Sequence, residues 1–104
     1  MLESLMIMEA VNGEIKLTTV PNGATAHISP APNIQEGDAV ELYVRDVLVS
    51  TFAVPRDVVF PIILIVPKQV LLGFVEQDVD FYYALVREGN SQTSPRARYR
   101  ISHS

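Results

Sequence analysis

The sequence contains no cysteine, and that absence excludes several kinds of site. Without cysteine the chain has no disulfides, no thiolate metal ligands and no cysteine nucleophile. The absence does not fix the cellular compartment, because many extracellular domains also lack cysteine.

Basic residues are also scarce. The chain has eight Lys and Arg residues and twelve Asp and Glu residues, which gives a net charge of −4. A nucleic-acid binder would carry a basic patch, so we expect no nucleic-acid partner. Charged residues of both signs make up only 19% of the chain while hydrophobic residues make up 48%, so we expect part of the apolar surface to meet a neighbour.

Long hydrophobic runs are missing as well. No stretch approaches the roughly 18 apolar residues of a membrane-spanning helix, so we expect no membrane insertion. The segment from Met1 to Ala10 has no Lys or Arg before its short apolar run, unlike a secretory signal peptide. At 104 residues the chain fits one domain with a core that needs no disulfide.

The stretch from Asp78 to Val86 carries the clearest strand pattern of the chain. Val79, Phe81, Tyr83 and Leu85 alternate with Asp78, Asp80, Tyr82 and Ala84. A period of two is the mark of a strand with one buried face, and aromatic and β-branched residues suit such a surface. We therefore expect this strand at the centre of a sheet.

Six further stretches have strand character and are separated by turn residues every eight to twelve positions. They are residues 14–20, 24–29, 38–45, 47–54, 58–66 and 96–102. Seven short strands in this spacing predict an all-β, immunoglobulin-like antiparallel β-sandwich, with a barrel as the alternative. We expect a leader or linker over 1–12, with an added edge strand as the alternative for its apolar part, and the sandwich domain over 13–104.

Several connections can be predicted too. Pro21 to Gly23 predicts a tight reversal and therefore a hairpin between the first two strands. The proline-rich stretch 29–37 predicts a loop, and Pro67 to Leu72 followed by Gly73 predicts one helical turn. The nearly continuous apolar run 58–66 predicts a strand covered on both faces.

Four phrases resemble, in their order, a known kind of repeat. They are Glu9-Ala-Val-Asn-Gly13, Gly37-Asp-Ala-Val-Glu-Leu-Tyr43, Ile65-Val-Pro-Lys68 and Ser94-Pro95 before a final strand. Together they look like the Ig-like repeat domains of large bacterial surface and adhesin-like proteins. Tyr43 stands where that pattern has tryptophan, and Val47 stands where it has glycine.

The resemblance implies a non-enzymatic structural or adhesive module at the cell surface or outside the cell. It implies no catalytic residues and no cofactor. The two histidines, His27 and His103, have no partner nearby in sequence that would make a zinc site or a general base.

Tyrosines and arginines cluster on one predicted sheet face. Arg96, Arg98 and Arg100 alternate along the last strand and would share the outward side of the sheet with Tyr82. Tyr43 joins them if its strand is the other neighbour of the central one. These five residues, Tyr43, Tyr82, Arg96, Arg98 and Arg100, are here called the Tyr/Arg face.

The Tyr/Arg face has two interpretations. Tyr and Arg are enriched at binding hot spots, so it is our candidate site for a protein or carbohydrate ligand, including an acidic polysaccharide. Alternatively it is a solvated face of cross-strand ion and cation–π pairs. A single hairpin centred on residue 91 would place Tyr82 opposite Arg100 and Ala84 opposite Arg98.

Two other interpretations follow from the acidic and apolar residues. Asp78 and Asp80, with Glu76 and a contribution from Glu36 or Asp38, form an acidic group, although the spacing matches no calcium loop, so we predict no metal. A homodimer through an exposed edge strand or through the apolar N-terminal segment is a further alternative to the spacer role.

Overall fold

Two packed sheets make up the domain. The computed structural model describes residues 3–29 and 34–103, so Met1, Leu2, Ser104 and the 30–33 part of the predicted proline-rich loop lie outside the described residues. The described strands are β1 Met6–Ile7, β2 Glu14–Lys16, β3 Ala24–Ile28, β4 Ala39–Val44, β5 Val47–Ala53, β6 Ile62–Val66, β7 Gln77–Arg87, β8 Asn90–Thr93 and β9 Ala97–Ser102. A 3-10 helix covers Leu17–Thr19, and helix α1 covers Lys68–Leu72 between Pro67 and Gly73, as predicted.

The strands form a smaller and a larger sheet. The smaller sheet has the order β1-β3-β6, and the larger has the order β2-β9-β7-β4-β5 with β8 also paired to β7. The predicted all-β sandwich is confirmed. Among the described residues β1 and β8 are strands in addition to the seven predicted.

Strand β7 lies at the centre of the larger sheet, as its pattern predicts. It pairs with β4 on one side and with β8 and β9 on the other. Phe81 and Tyr83 are fully buried between the sheets, and the Phe81 ring meets Tyr99 of β9 edge-on at 5.6 Å. The inward residues of β7 therefore anchor the core.

The predicted hairpin between the first two strands is wrong. The strand predicted over 14–20 ends at Lys16, and β2 pairs with β9 in the larger sheet while β3 belongs to the smaller sheet. The turn thus crosses from one sheet to the other. Gly23 makes the crossing at φ +106°, where a Cβ atom would lie 2.5 Å from the carbonyl oxygen of Val66. Only glycine fits this close approach.

The prediction that the run 58–66 is covered on both faces is also wrong. Strand β6 alternates, with Ile62, Leu64 and Val66 buried, and Ile63 and Ile65 53% and 48% exposed. An apolar run has no period, so its pattern could not show which residues would face solvent.

The N-terminal segment packs into the sandwich, as the edge-strand alternative proposed. Strand β1 pairs with β3, and Leu5 and Ile7 are 2% exposed. Two tyrosines of the larger sheet hold it. Tyr83 donates its hydroxyl to the carbonyl of Glu3 at 2.8 Å, and Tyr99 accepts the amide of Ile7 at 3.3 Å. The segment therefore joins the two sheets.

Candidate binding face

The Tyr/Arg face lies on the outer side of the larger sheet, away from the smaller one. Tyr43 of β4 pairs in register with Tyr82 of β7. Across β7, Arg98 of β9 lies opposite Asp80 and Arg100 lies opposite Asp78, while Arg96 immediately precedes β9. The structure thus brings the five predicted residues together on neighbouring strands.

Their predicted pairing was wrong by four positions. Arg98 lies opposite Asp80 instead of Ala84, and Arg100 lies opposite Asp78 instead of Tyr82. The cause is the place of the turn, because the chain reverses at Glu88 and Gly89 and β8 pairs with β7 before β9 does. Strand β9 is thereby displaced along β7, so that Asp80 and Asp78 lie opposite Arg98 and Arg100 in place of Ala84 and Tyr82.

Tyr82 is enclosed on this face. Its ring stacks on that of Tyr43 with centroids 5.1 Å apart and planes 8° apart, and the guanidinium of Arg96 lies 4.3 Å from its centroid. Tyr82 is only 8% exposed although it points outward. A sugar ring stacks on an open aromatic face, and Tyr82 offers little of one.

Both tyrosine hydroxyls donate to carboxylates. Tyr82 donates to Asp46 Oδ1 at 2.6 Å, and Tyr43 donates to Glu41 Oε1 at 2.9 Å. These bonds raise the pKa of each phenol, since ionisation would set two negative charges side by side. For Asp46, the bond from Tyr82, followed by the bond from Arg96, lowers the carboxyl pKa.

Asp46 reaches this position through an unusual turn. Arg45 and Asp46 join β4 to β5, and both have left-handed backbones with φ of 49° and 66°. A two-residue hairpin loop favours this conformation, but Gly and Asn are its usual residues. Here two non-glycine residues adopt it, at a cost in strain.

The arginines are paired with carboxylates of neighbouring strands and turns. Arg98 Nε lies 3.0 Å from Asp80 Oδ1, and Arg100 Nη2 lies 3.2 Å from Glu76 Oε2. Arg96 Nη2 lies 3.2 Å from Asp46 Oδ1. The positive charge of this row is therefore largely balanced within the domain, which leaves little net attraction for an anionic ligand.

The ion pair with the shortest separation among those described, Asp38–Arg87, was not predicted. Asp38, just before β4, accepts two hydrogen bonds from Arg87 at the end of β7, with Nε at 2.8 Å and Nη2 at 2.7 Å. Its carboxylate also accepts the amide of Gln35 at 2.8 Å. The Asp38 side chain is 3% exposed, and the bond from Arg87 lowers its pKa to about 2 despite the opposing effect of burial. Asp38 is thus a structural residue of the β4 start.

The acidic residues considered as a metal site bind different arginines. Glu76 and Asp78 are more than half exposed and pair with Arg100, while Asp38 is bound to Arg87. Within residues 3–29 and 34–103, no group of three or more His, Asp or Glu side chains is placed to hold a metal ion. His27 lies half-buried on the outer face of the smaller sheet, and His103 is exposed.

Two open clefts lie at the ends of the larger sheet. One, of about 290 Å³, is lined by Leu85, Arg87 and residues of the β7–β8 hairpin. The other, of about 390 Å³, is lined by the turn at 11–14 with Lys16 and Arg100. Arg100 of the Tyr/Arg face therefore borders the second cleft, whereas neither cleft is lined by Tyr43, Tyr82, Arg96 or Arg98.

Comparison with known proteins gives no family for this chain. No protein-family model, curated protein or solved structure matches it. In the described part of the chain, no helix is both long and apolar enough to cross a membrane.

Proposed function

We propose that this domain is a non-enzymatic structural or adhesive Ig-like module of a bacterial surface protein, located outside the cell. The sandwich fold and the order of the four sequence phrases support this role. The observation that carries it is the internal pairing of the Tyr/Arg face. Arg96, Arg98 and Arg100 each bind a carboxylate of the same domain.

A ligand site on this face would have to break those pairs. An acidic polysaccharide would compete with Asp46, Asp80 and Glu76 for the guanidinium groups. A neutral sugar would have to displace Arg96 or Tyr43 from the Tyr82 ring. The face therefore favours a structural role over a carbohydrate- or protein-binding one.

Solution mass and titration calorimetry test this proposal. We expect a monomer by light scattering, with and without calcium chloride, and no binding heat with polygalacturonate as an acidic probe or dextran as a neutral one. Polygalacturonate binding that disappears in Arg98→Ala would contradict the proposal. Arg98 is the suitable residue because its side chain is 70% exposed, so its loss leaves the core intact.

A second candidate function is self-association through one side of the sandwich. Strand β5 is one edge of the larger sheet and β6 is one edge of the smaller sheet, and the two strands lie next to each other. Residues 47–54 and 58–67 contain no charged side chain. In the described part of the chain nine large hydrophobic residues are exposed, and five of them come from this side: Val47, Leu48, Val59, Ile63 and Ile65.

Free, uncharged edge strands favour pairing with another strand, since charge is one of the usual protections of an edge. A second copy fits best, because an antiparallel edge without charge is complementary to itself around a two-fold axis. Under this candidate the wild type is a dimer, Ile63→Lys is a monomer and the control Leu72→Lys, on α1, stays a dimer. A wild-type monomer at all concentrations in light scattering would eliminate it.

Deleting the N-terminal segment is not a clean test of self-association. The sequence alone suggests removing residues 1–9 to abolish a dimer. Leu5 and Ile7 are core residues, however, so the deletion would open the space between the sheets. Point substitution on β6 separates association from folding.

A further inference from the structure

The pairing of β2 with β9 differs from all other strand pairs described. It is parallel, with Glu14 opposite Arg100, Ile15 opposite Ile101 and Lys16 opposite Ser102. The amide of Arg100 donates to the carbonyl of Gly13 at 2.9 Å. Every other pair of described strands is antiparallel.

The direction of the two strands fixes how they respond to tension. The chain enters β2 at Glu14 and leaves β9 beyond Ser102, which lies opposite Lys16, the last residue of β2. Pulling the chain before β2 and the chain after β9 in opposite directions slides one strand along the other. Because the hydrogen bonds of this parallel ladder are evenly spaced and all join the two strands, sliding loads them together, whereas prying the strands apart from one end breaks them one at a time.

The N-terminal segment adds a second contact, which is antiparallel, between the pulled chain and the rest of the domain. Strand β1 pairs with β3, and the side chains of Leu5 and Ile7 are buried between the sheets. The hydroxyls of Tyr83 and Tyr99 bind the backbone at Glu3 and Ile7. Tension applied before β1 therefore meets buried side chains and backbone hydrogen bonds before it reaches β2.

We propose that the parallel β2–β9 pair is a force-bearing clamp, which lets the domain stay folded under tension between its two ends. This inference rests on the proposed function as a surface-protein module. In this role the domain transmits tension along the parent protein, in addition to acting as a spacer between neighbouring parts.

Pulling one molecule in two directions tests the clamp. Because the chain has no cysteine, pairs of introduced cysteines give unique attachment points for DNA handles in optical tweezers. Glu3→Cys with His103→Cys loads the clamp by sliding, while Thr18→Cys with His103→Cys pulls at the end where Lys16 and Ser102 meet and so pries it apart. All three positions are exposed, so the fold is kept.

The unfolding force should depend on the direction of pulling. At the same pulling speed we expect a clearly higher force for the Glu3/His103 pair than for the Thr18/His103 pair. Forced unfolding reports the barrier to unfolding and not the equilibrium stability, so the same fold can give two forces. Equal forces in the two directions, or a lower force for Glu3/His103, would overturn the proposal.

A proline substitution tests the hydrogen bond between the Arg100 amide and the Gly13 carbonyl. Arg100→Pro removes the amide that donates to Gly13 but leaves the β7–β9 ladder, because the Arg100 amide points toward β2. The control is Gln92→Pro in β8, an exposed strand that pairs with β7 alone. At a matched loss of free energy of unfolding, we expect the Glu3/His103 force to fall in Arg100→Pro and to change far less in Gln92→Pro. Equal falls would show that the clamp bears no special load.

The clamp and the proposed function fail in different ways. A low, direction-independent force from a monomer contradicts the clamp alone. A high, direction-dependent force from a chain that forms a stable dimer supports the clamp and contradicts the spacer role.

Discussion

The two sheets present outer faces of opposite character. On the larger sheet, tyrosines, arginines and carboxylates bind one another, and the outward Tyr82 is only 8% exposed. On the smaller sheet, Met6, His27 and Ile63 lie side by side in register across the three strands, and Met6 and Ile63 are 61% and 53% exposed. On the polar face the side chains thus bind one another, whereas on the apolar face large side chains remain exposed to solvent.

This difference reverses the usual expectation about where a surface contributes stability. Outward polar residues ordinarily contribute little, since exposed ion pairs are worth about 0–1 kcal/mol. Around Tyr82, however, stacking, a cation–π contact and a hydrogen bond combine on one enclosed ring. On the outer face of the smaller sheet, by contrast, Met6 and Ile63 are more than half exposed in the described part of the chain. The four predictions below test this contrast.

The largest effect is expected at Tyr82. Tyr82→Ala removes the stack on Tyr43, the contact with Arg96 and the bond to Asp46, so the free energy of unfolding should fall by about 2–4 kcal/mol. Tyr82→Phe keeps the ring and should cost only about 1 kcal/mol. Urea denaturation measures both. A loss below about 1 kcal/mol in Tyr82→Ala would mean that the enclosed ring adds no stability to the larger sheet.

Acid should weaken the domain through Asp38. Its folded pKa of about 2 lies below the ordinary value of 3.8, so its contribution is present above pH 4 and is lost as the pH falls through about 2. The contribution is on the order of 2 kcal/mol. Urea denaturation between pH 6 and pH 2 should show a loss in the wild type that is smaller in Asp38→Asn.

Asp78→Asn is the matched control for that titration, because Asp78 is 57% exposed and 3.8 Å from Arg100. It should keep the acid dependence of the wild type. If Asp38→Asn behaved like this control, the Asp38–Arg87 pair would contribute no more than a surface pair.

A smaller effect is expected for the exposed arginine row. Arg98→Ala should cost about 1 kcal/mol or less, since its side chain is 70% exposed. The cost should nearly vanish in 1 M salt, where the Debye length is about 3 Å. Urea denaturation in low and high salt checks this, and a large loss unaffected by salt would place Arg98 among the packed residues of the face.

The smallest effect is expected on the smaller sheet. Ile63→Thr keeps a β-branched residue at an exposed position of β6, so the stability of the monomer should change by about 0.5 kcal/mol or less. Leu64→Thr, on the buried side of the same strand, should cost several times more. Similar losses for the two variants would show that the outer face of β6 is covered within the monomer.

Strand identity could be predicted from the sequence where residues alternate, as in β4, β7 and β9, because the period of two reflects one buried face. The pairing could not be predicted where the strand is polar. Asn90–Thr93 has no hydrophobic residue and is exposed throughout, so no pattern in the sequence predicts β8. The turn at Glu88 and Gly89 also lacks the usual Asn-Gly signal, so the sequence does not indicate that the chain reverses there instead of at residue 91.

The composition of the Tyr/Arg face could be predicted, but its chemistry could not. Alternation assigns Tyr82 and Arg98 to the outward side, whereas their partners depend on register and on a distant turn. Asp46 lies 36 residues from Tyr82 in the chain and 50 from Arg96. The Asp38–Arg87 pair was missed for the same reason, since 49 residues separate its members.

The Arg45-Asp46 turn has a consequence for how the domain opens. Its two left-handed residues cost about 1 kcal/mol or more each, and they persist because Asp46 binds Tyr82 of β7 and Arg96 at the start of β9. Any fluctuation that frees β5 from the sheet also frees Asp46, and with it the contact that holds the start of β9. We therefore expect the edge hairpin and the last strand to open together, so that their amide hydrogens exchange together.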